Sequence, residues 1–293
     1  MKPEKLPLTV LMITLNEEHN IGRVLENIVD FSSEIFILDS FSQDRTLEIA
    51  SKYDVKIYQR EFKDFSDQWN YACQKLPISN PWTIKLDPDE SLTNELKQSI
   101  SEVILKNQAD YISFNRRLWF MSRPLSVKQK VTRVWKTGTC RFNDVIVNEH
   151  PIVEGKEIFL NEYLEHYDSP DLQHWFAKQN IYTTLEAKTR FSDKNKKQKF
   201  DLFGNFENRK SSLKSFYSRL IFQDFLIFFY CYFILGSFKD GKVGFIWAKM
   251  RCFVYKMRRL KYLEMSWIGK EYNTVPPKKG LPNVLAKQIY NDS

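Results

Sequence analysis

The first 115 residues alternate between short apolar runs and segments whose apolar residues recur every three or four positions. The apolar runs occupy residues 8–14, 34–38, 55–58, 82–86 and 110–114, and they predict five β-strands. The first run is continuously apolar, which is typical of a strand buried on both faces of a sheet. The segments between the runs predict helices over 20–30, 42–53, 65–76 and 93–105. This alternation predicts an α/β fold with a mostly parallel sheet and helices on both faces.

Two of the predicted helices have a well-defined apolar face. In the first predicted helix the apolar face is formed by Ile21, Val24, Leu25 and Ile28. In the last it is formed by Leu96, Ile100, Val103 and Ile104. Asn20 and Ser42 stand where helices are predicted to begin, and both residue types are favoured N-caps because their side-chain oxygens accept from free backbone N–H groups.

The pattern changes after Arg116. Residues 117–150 indicate strands and loops, 172–190 a helix, and 192–212 a polar, lysine-rich loop. Residues 225–238 form an uncharged stretch of 14 residues, fewer than the roughly 20 that span a bilayer. Residues 239–261 then carry eight bases and one acid among aromatic and aliphatic residues, a pattern typical of a helix on a membrane surface. The alternative is that the two segments pack on each other as a helical hairpin.

Composition and charge narrow the class of protein. With 43% hydrophobic and 27% charged residues among 293, the chain is neither disordered nor collagen-like. The net charge of +8 is unevenly distributed, because residues 169–293 carry 23 bases against 10 acids and residues 1–168 carry 21 against 26. We therefore expect the C-terminal region to face an anionic partner such as phospholipid, nucleic acid or a phosphorylated substrate.

The cysteines and the N-terminus bear on the compartment. Four cysteines are scattered along the chain without a CxxC pair, which excludes zinc ribbons and redox motifs and indicates free thiols in a reducing compartment. The N-terminal residues have neither the apolar core nor the cleavage site of a secretory signal. We expect a protein of the cytosol or of the cytosolic face of a membrane.

Polar and acidic residues follow three of the predicted strands. They are residues 14–18 after the first strand, 39–46 after the second and 87–90 after the fourth. Ligands of parallel sheets bind beyond the carboxyl ends of the strands, so these segments are expected to share one site. Neither the dinucleotide-binding GxGxxG nor the phosphate-binding GxxxxGK[ST] pattern occurs, which argues against a redox enzyme or a P-loop nucleotidase.

Asp87 and Asp89 flank a proline at the end of the fourth predicted strand. Pro88 has a fixed φ and favours an extended conformation of the residue before it. Two carboxylates held in this way suit a hard divalent cation, since Mg²⁺ takes one or two protein carboxylates and completes its sphere with phosphate and water oxygens. Such a pair of aspartates also occurs in solvated turns. The polar residues after the first and second strands support the interpretation as part of a binding site.

The segments TLNEE, LDSFSQDRT and WTIKLDPDE, in this order, resemble glycosyltransferase family 2, whose members have the GT-A nucleotide-sugar-binding fold. The resemblance covers about residues 8–170. Within the family, the sequence is similar in particular to lipopolysaccharide core β-glucosyltransferases. These share a later His-Tyr pair, here His166 and Tyr167. Two residues depart from the family pattern, Pro88 in place of a small residue and Phe41 in place of glycine, and they imply a stiffer loop after the second strand.

The resemblance implies a nucleotide-sugar site. It assigns binding of the donor to Thr14, Asn16, Glu17, Asp39, Gln68, Asn70 and Asp87. Asp39 would accept a hydrogen bond from uracil or ribose, and Asp87 would contact the ribose or a metal-bound water. Ser42, in the same loop as Asp39, is expected to be only a turn residue or helix cap.

The resemblance also implies a metal and a base. Asp89 and His166 would bind Mg²⁺ or Mn²⁺, and the imidazole favours Mn²⁺. Glu149 would be the general base that deprotonates the acceptor hydroxyl, with Asp144 as the alternative. Three arginines near the fifth strand, Arg116, Arg117 and Arg133, are candidates to neutralise phosphate or to hold the acceptor.

The sequence therefore predicts an inverting, metal-dependent transfer of a hexose, with glucose the candidate, from a UDP-sugar to an acceptor of lipopolysaccharide-core or other glycolipid type. Residues 1–170 would form the catalytic domain, with its nucleotide-binding part in 1–115 and its acceptor and base part in 116–170. Residues 171–293 would form a helical, basic region on an anionic membrane, at the cytoplasmic face of the inner membrane. The alternatives are a polyprenyl-phosphate glycosyltransferase and a non-enzymatic membrane- or RNA-binding protein; nucleic acid is not an expected partner of the enzyme.

Overall fold

Ten β-strands lie in residues 5–143, 150–194 and 223–272, which are the part of the chain that the computed structural model describes. They are β1 Leu6–Thr14, β2 Ser32–Asp39, β3 Lys56–Gln59, β4 Trp82–Lys85, β5 Glu90–Leu92, β6 Tyr111–Phe120, β7 Arg123–Lys136, β8 Arg141–Phe142, β9 Pro151–Ile152 and β10 Glu157–His166. Eight of them form one sheet in the order β3-β2-β1-β4-β7-β6-β10-β5, and β8 pairs with β9.

The strand directions bring several carboxyl ends to one edge of the large sheet. β3, β2, β1 and β4 run parallel to one another, while β7 is antiparallel to both β4 and β6. β10 is parallel to β6, so it runs in the same direction as β4. The ends of β1, β2 and β4 therefore share an edge, as the polar strand ends predicted, and the end of β10 lies at the same edge. The α/β class and the mostly parallel sheet are confirmed.

Seven α-helices occur in the described residues: α1 Ile21–Ile28, α2 Thr46–Ala50, α3 Phe65–Lys75, α4 Asn94–Leu105, α5 Leu172–Lys194, α6 Gln223–Phe229 and α7 Gly241–Ile268. The predicted apolar faces of α1 and α4 are buried, and they join one hydrophobic core with residues of β1, β2, β4 and β6. The Thr93 hydroxyl caps α4 by accepting from the Leu96 backbone N–H. Each apolar face contributes through the area that it removes from water.

Two predicted helix caps are wrong. Asn20 flanks α1 without a side-chain bond to a free helix N–H, and its amide instead donates to the Glu17 carboxylate at 3.0 Å. The helix predicted from residue 42 begins only at Thr46, whose backbone N–H donates to Asp44. The Asn20 side chain bonds to Glu17 and Arg23, and the Ser42 hydroxyl accepts from the Asn16 backbone N–H, so neither side chain caps a helix.

The chain divides into two compact units. The first holds the described residues up to Pro124 and from Lys128 to Trp175; the second holds Leu125–Val127 and the described residues from Phe176 onward. In the second unit α6 continues into a π-helix, Tyr230–Ile234, and a 3-10 turn, Ser237–Asp240, precedes α7. None of the helices in the described ranges is long and apolar enough to cross a membrane.

Candidate active site

Asp39 organises the loop that follows β2. Its carboxylate is fully buried and lies opposite Thr14 in the parallel β1–β2 ladder. One carboxylate oxygen accepts from the hydroxyls of Thr14 and Ser42, at 2.9 and 2.5 Å. The other accepts from the Ser42 backbone N–H at 2.8 Å and from the Gln59 amide at 3.3 Å. These four donors match the roughly four lone-pair sites of a carboxylate.

The loop after β1 is tied to the loop after β2. The Asn16 backbone N–H donates to the Ser42 hydroxyl at 2.9 Å, and its side-chain oxygen accepts from the Gln43 backbone N–H at 2.7 Å. Glu17 donates its backbone N–H to the Thr46 hydroxyl at 2.7 Å. Ser42 therefore joins the two loops, which corrects the expectation that it is only a turn residue or cap.

Phe41 lies in this loop with a φ of +60°, a conformation that favours glycine. Its ring is 42% exposed, although the loop around it is held by Asp39. A left-handed φ in a bulky residue is strained and persists only where its surroundings enforce it. Phe41 thus adopts a backbone conformation that glycine takes more easily, and the stiffer loop expected from this residue stays a prediction.

Gln68 and Asn70 point to different neighbours. The Gln68 amide is fully buried; its nitrogen donates to the Ser40 hydroxyl at 3.1 Å and its oxygen accepts from Arg60 at 2.7 Å. Asn70 instead holds the backbone of Phe142 in β8 with two bonds, of 3.1 and 2.8 Å. Gln68 thus supports the loop after β2, whereas the structure does not bring the Asn70 amide to that loop.

Asp87 lies in a network of buried charges. The Arg133 guanidinium contacts Asp87 at 3.2 Å and Glu90 at 2.5 Å, and the Glu90 side chain is fully buried. Lys85, the last residue of β4 and itself only 3% exposed, places its ammonium 3.9 Å from Asp87 and 4.5 Å from the centre of the Trp69 ring. These cations compensate the carboxylates that burial would otherwise destabilise.

Lys85 and Glu90 are site residues that the sequence interpretation missed. The sequence did contain a signal for Lys85, which is a charged residue inside the apolar segment WTIKL. A lysine is rarely buried unless it is paired, so its position in a buried strand indicates an acidic partner nearby. Arg133 pairs with carboxylates of the site, whereas Arg117 pairs with Glu165 on β10. The Arg116 guanidinium lies 3.5 Å from Glu90.

Asp89, His166 and Asp168 form a cluster of metal-binding side chains. Each offers one ligand atom, and the three atoms lie within 4.8 Å of one another. The His166 Nε2 is 3.3 Å from the Asp89 carboxylate. The sequence did not predict Asp168 as a metal ligand. An aspartate two residues after a histidine is not by itself a signal for one.

The donor set of this cluster fits a divalent cation. Two carboxylates and an imidazole together supply two negative charges and one nitrogen, a combination that suits Mn²⁺ and accommodates Mg²⁺ less well. The His166 Nδ1 is buried and has no hydrogen-bond partner in the described part of the chain. The Nε2 is the ring nitrogen that faces Asp89, so it is the atom available to a cation in this cluster.

Glu149 and Asp144, the candidates for the general base, lie outside the described residues. The β8–β9 pair flanks the segment that contains them, with Phe142 opposite Pro151. Asn70 on α3 holds this pair through Phe142. The assignment of the base therefore stays a prediction.

The second unit exposes an aromatic surface, formed by Phe225, Phe229, Phe233 and Phe238. These rings are 65%, 45%, 50% and 46% exposed, and the Phe229 and Phe233 rings lie 5.1 Å apart. Lys239 lies 5.8 Å from the Phe238 ring centre. Large exposed apolar patches mark interaction sites in soluble proteins.

The chain matches one family model and is similar to several proteins named glycosyltransferases. The family model described as "Glycosyl transferase family 2" matches residues 9–166. An uncharacterized glycosyltransferase of Rickettsia conorii, RC0292, is 25% identical over 279 residues, which cover 90% of this chain and 92% of that protein. The lipopolysaccharide core biosynthesis glycosyltransferase LpsC of Rhizobium meliloti is 25% identical over 257 residues, 83% of this chain and 87% of LpsC. The solved structure of S. aureus TarS 1-349 in complex with UDP-GlcNAc aligns with 94% of this chain and 95% of its own at 14% identity, with a TM-score of 0.44.

Proposed function

Because the chain belongs to glycosyltransferase family 2, we propose that it transfers a hexose from a UDP-sugar, with inversion, to a glycan acceptor of glycolipid type. The observation that carries the proposal is the cluster of Asp89 and His166 at the carboxyl edge of the sheet. It lies beside the acidic strand ends, where ligands of open parallel sheets bind. We take glucose as the first donor sugar to test.

Asp89 and His166 are the residues that would hold the cation. A bound Mg²⁺ or Mn²⁺ would neutralise the charge of the leaving diphosphate. The Asp87 carboxylate is held by Lys85 and Arg133, two residues before Asp89 in the chain. Because the carboxylate is held in place, we assign Asp87 to contact with the ribose or with a water of the metal site. A carboxylate of a mobile, solvated turn would not be held in this way.

The loops after β1 and β2 would form the nucleotide side of the site. Thr14, Asn16 and Glu17 leave β1 at the edge where Asp39 leaves β2. Asp39 holds both loops through Ser42, so its first task is to shape the pocket wall. Direct acceptance from uracil would require one of its four present donors to move aside.

Glu149 is proposed as the base on the opposite side of the sugar from the diphosphate. It would take the proton of the acceptor hydroxyl as the oxygen attacks the anomeric carbon, while the sugar–phosphate bond breaks. Asn70 would serve this step indirectly, since it holds β8 beside the segment that contains Glu149.

The experiment measures hexose transfer from UDP-hexoses with Mn²⁺ or Mg²⁺ present. Asp89→Asn should lower the rate about a hundredfold or more, because electrostatic stabilisation of the leaving group is lost. Asp54→Asn, at an exposed carboxylate before β3, is the matched control and should keep the wild-type rate. Wild-type turnover by Asp89→Asn would refute the proposal.

The acceptor class and the location rest on the second unit. Its aromatic surface would enter the interface of an anionic bilayer, with lysines such as Lys239 and Lys249 at the headgroups. Lys249 lies 4.6 Å from the Phe245 ring centre, so charge and aromatic surface occur together here as well. The relative LpsC, named for lipopolysaccharide core biosynthesis, supports a lipid-linked acceptor. We propose a peripheral position on the cytoplasmic face of the inner membrane.

Flotation with anionic vesicles tests this part. Serine at Phe225, Phe229 and Phe233 together should abolish co-flotation, since each exposed ring loses about 1.5–3 kcal/mol of burial in the interface. Leu105→Ser removes an apolar side chain that is 71% exposed on α4 and is the control. Unchanged flotation of the triple variant would refute membrane docking through this surface.

A further inference from the structure

We propose that Asp168 is a third protein ligand of the cation and that the cluster of Asp89, His166 and Asp168 binds Mn²⁺ before any nucleotide is present. The inference rests on the proposed function, because it concerns the cation of the same site. It goes further in naming a ligand and an order of binding, the cation first and the donor second.

The backbone brings Asp168 to Asp89. β5 and the end of β10 are antiparallel, with His166 opposite Glu90 and Glu165 opposite Ser91. The ladder continues one residue further, because the Tyr167 backbone N–H donates to the Asp89 carbonyl at 2.8 Å. Main-chain bonds thus hold residues 166–168 beside Asp89, and the cluster does not depend on side-chain rotamers alone.

The side chains around Tyr167 agree with this placement. Successive side chains of an extended segment point to opposite sides, so residues 166 and 168 share a side and 167 faces away. The Tyr167 ring does pack elsewhere, 4.9 Å from the Trp119 ring centre and 4.3 Å below the Arg23 guanidinium. His166 and Asp168 therefore approach Asp89 together.

Three ligands change what the protein can bind by itself. A single carboxylate holds a divalent cation weakly in water, and a diphosphate must then supply most of the coordination. Two carboxylates and an imidazole balance the charge of the cation and replace three waters at once. His166 and Asp168 are only partly buried, which leaves one side of the cluster open to phosphate oxygens.

The test is a titration of the full chain with Mn²⁺ in the absence of nucleotide, followed by the electron paramagnetic resonance signal of free Mn²⁺. Wild type should bind one Mn²⁺ per chain. Asp168→Asn should raise the Kd at least about tenfold, since loss of even an outer-shell partner costs that much. Asp168→Glu, which keeps the carboxylate, should lie between the two.

Asp171→Asn is the matched control. Asp171 is exposed, lies three residues further along, and accepts from the His174 backbone N–H at 2.7 Å, outside the cluster. Its variant should bind Mn²⁺ as wild type does. Binding that requires UDP, or an Asp168→Asn variant with the wild-type Kd, would overturn the inference.

The same samples separate this inference from the proposed function. If wild type transfers hexose but binds Mn²⁺ only together with UDP, the order of binding is wrong and the glycosyltransferase assignment stands. If no UDP-hexose supports transfer while Mn²⁺ binds in the predicted manner, the proposed donor is wrong and the three-ligand site stands.

Discussion

Replacement of Asp39 tests whether this carboxylate holds the two loops of the nucleotide side together. Asp39→Asn keeps the shape of the side chain and removes its charge. The new amide nitrogen can face the Thr14 and Ser42 hydroxyls, which rotate to accept, while its oxygen keeps the Ser42 backbone N–H and the Gln59 amide. All four bonds can thus persist, but as neutral ones.

The magnitude follows from the type of bond lost. Hydrogen bonds to a charged group contribute about 1.5–3 kcal/mol and neutral ones about 0.5–1.5 kcal/mol. The neutral amide avoids the desolvation cost of a buried charge, which offsets most of the loss summed over the four bonds, so we expect Asp39→Asn to lower the free energy of unfolding by about 1–2 kcal/mol. Asp39→Ala removes every acceptor and leaves the Ser42 N–H without a partner, so its loss should be about 2–4 kcal/mol.

Urea denaturation of the three proteins measures these losses, with Asp54→Asn as the exposed control that should stay within about 0.5 kcal/mol of wild type. Losses for both Asp39 variants within the range of that control would refute the role of Asp39 in holding the loops. Equal losses for the Asn and Ala variants would show that charge, and not the set of four bonds, stabilises the loop.

Three further changes probe the rest of the fold. Arg133→Met should destabilise by about 3 kcal/mol in urea, because it leaves the buried Glu90 carboxylate without its 2.5 Å partner, and Glu90→Gln in the same chain should recover part of the loss. Burial raises the pKa of Glu34, but hydrogen bonds from neighbouring ammonium and hydroxyl groups outweigh it and hold the pKa below its ordinary value of 4.5. Because the pKa of Glu34 is lower in the folded protein, the ionised carboxylate stabilises the fold above pH 4.5, and this contribution is lost as the pH falls through the folded-state pKa. The advantage of wild type over Glu34→Gln in thermal melts should therefore shrink and vanish as the pH falls below about 4.5; a constant difference would contradict this. Gly244→Ala would place a Cβ 1.8 Å from a backbone carbonyl oxygen and should cost at least about 2 kcal/mol, whereas Gly22→Ala, with its nearest atom at 3.6 Å, should be tolerated.

Local patterns were sufficient for most elements of the first unit. The apolar run of β1 and the faces of α1 and α4 are confirmed because burial of a strand or a helix face imposes a period that the chain displays directly. The predicted start of the second helix at residue 42 was wrong because Ser42 serves the adjacent loop, although a helix does follow over Thr46–Ala50. A serine that can cap a helix can equally accept from a loop N–H, and its sequence neighbours do not distinguish the two.

The order of strands and helices, the acidic strand ends and the basic C-terminal region were determined by the sequence alone, because hydrophobic period and charge are properties of neighbouring residues. Tertiary structure decided which of the polar side chains meet. Asp168 lies by Asp89 because β10 pairs with β5, and Asp39 reaches Thr14 because β2 pairs with β1. Such contacts join residues 25 or more positions apart, and strand pairing, which sets them, leaves no local pattern in the chain.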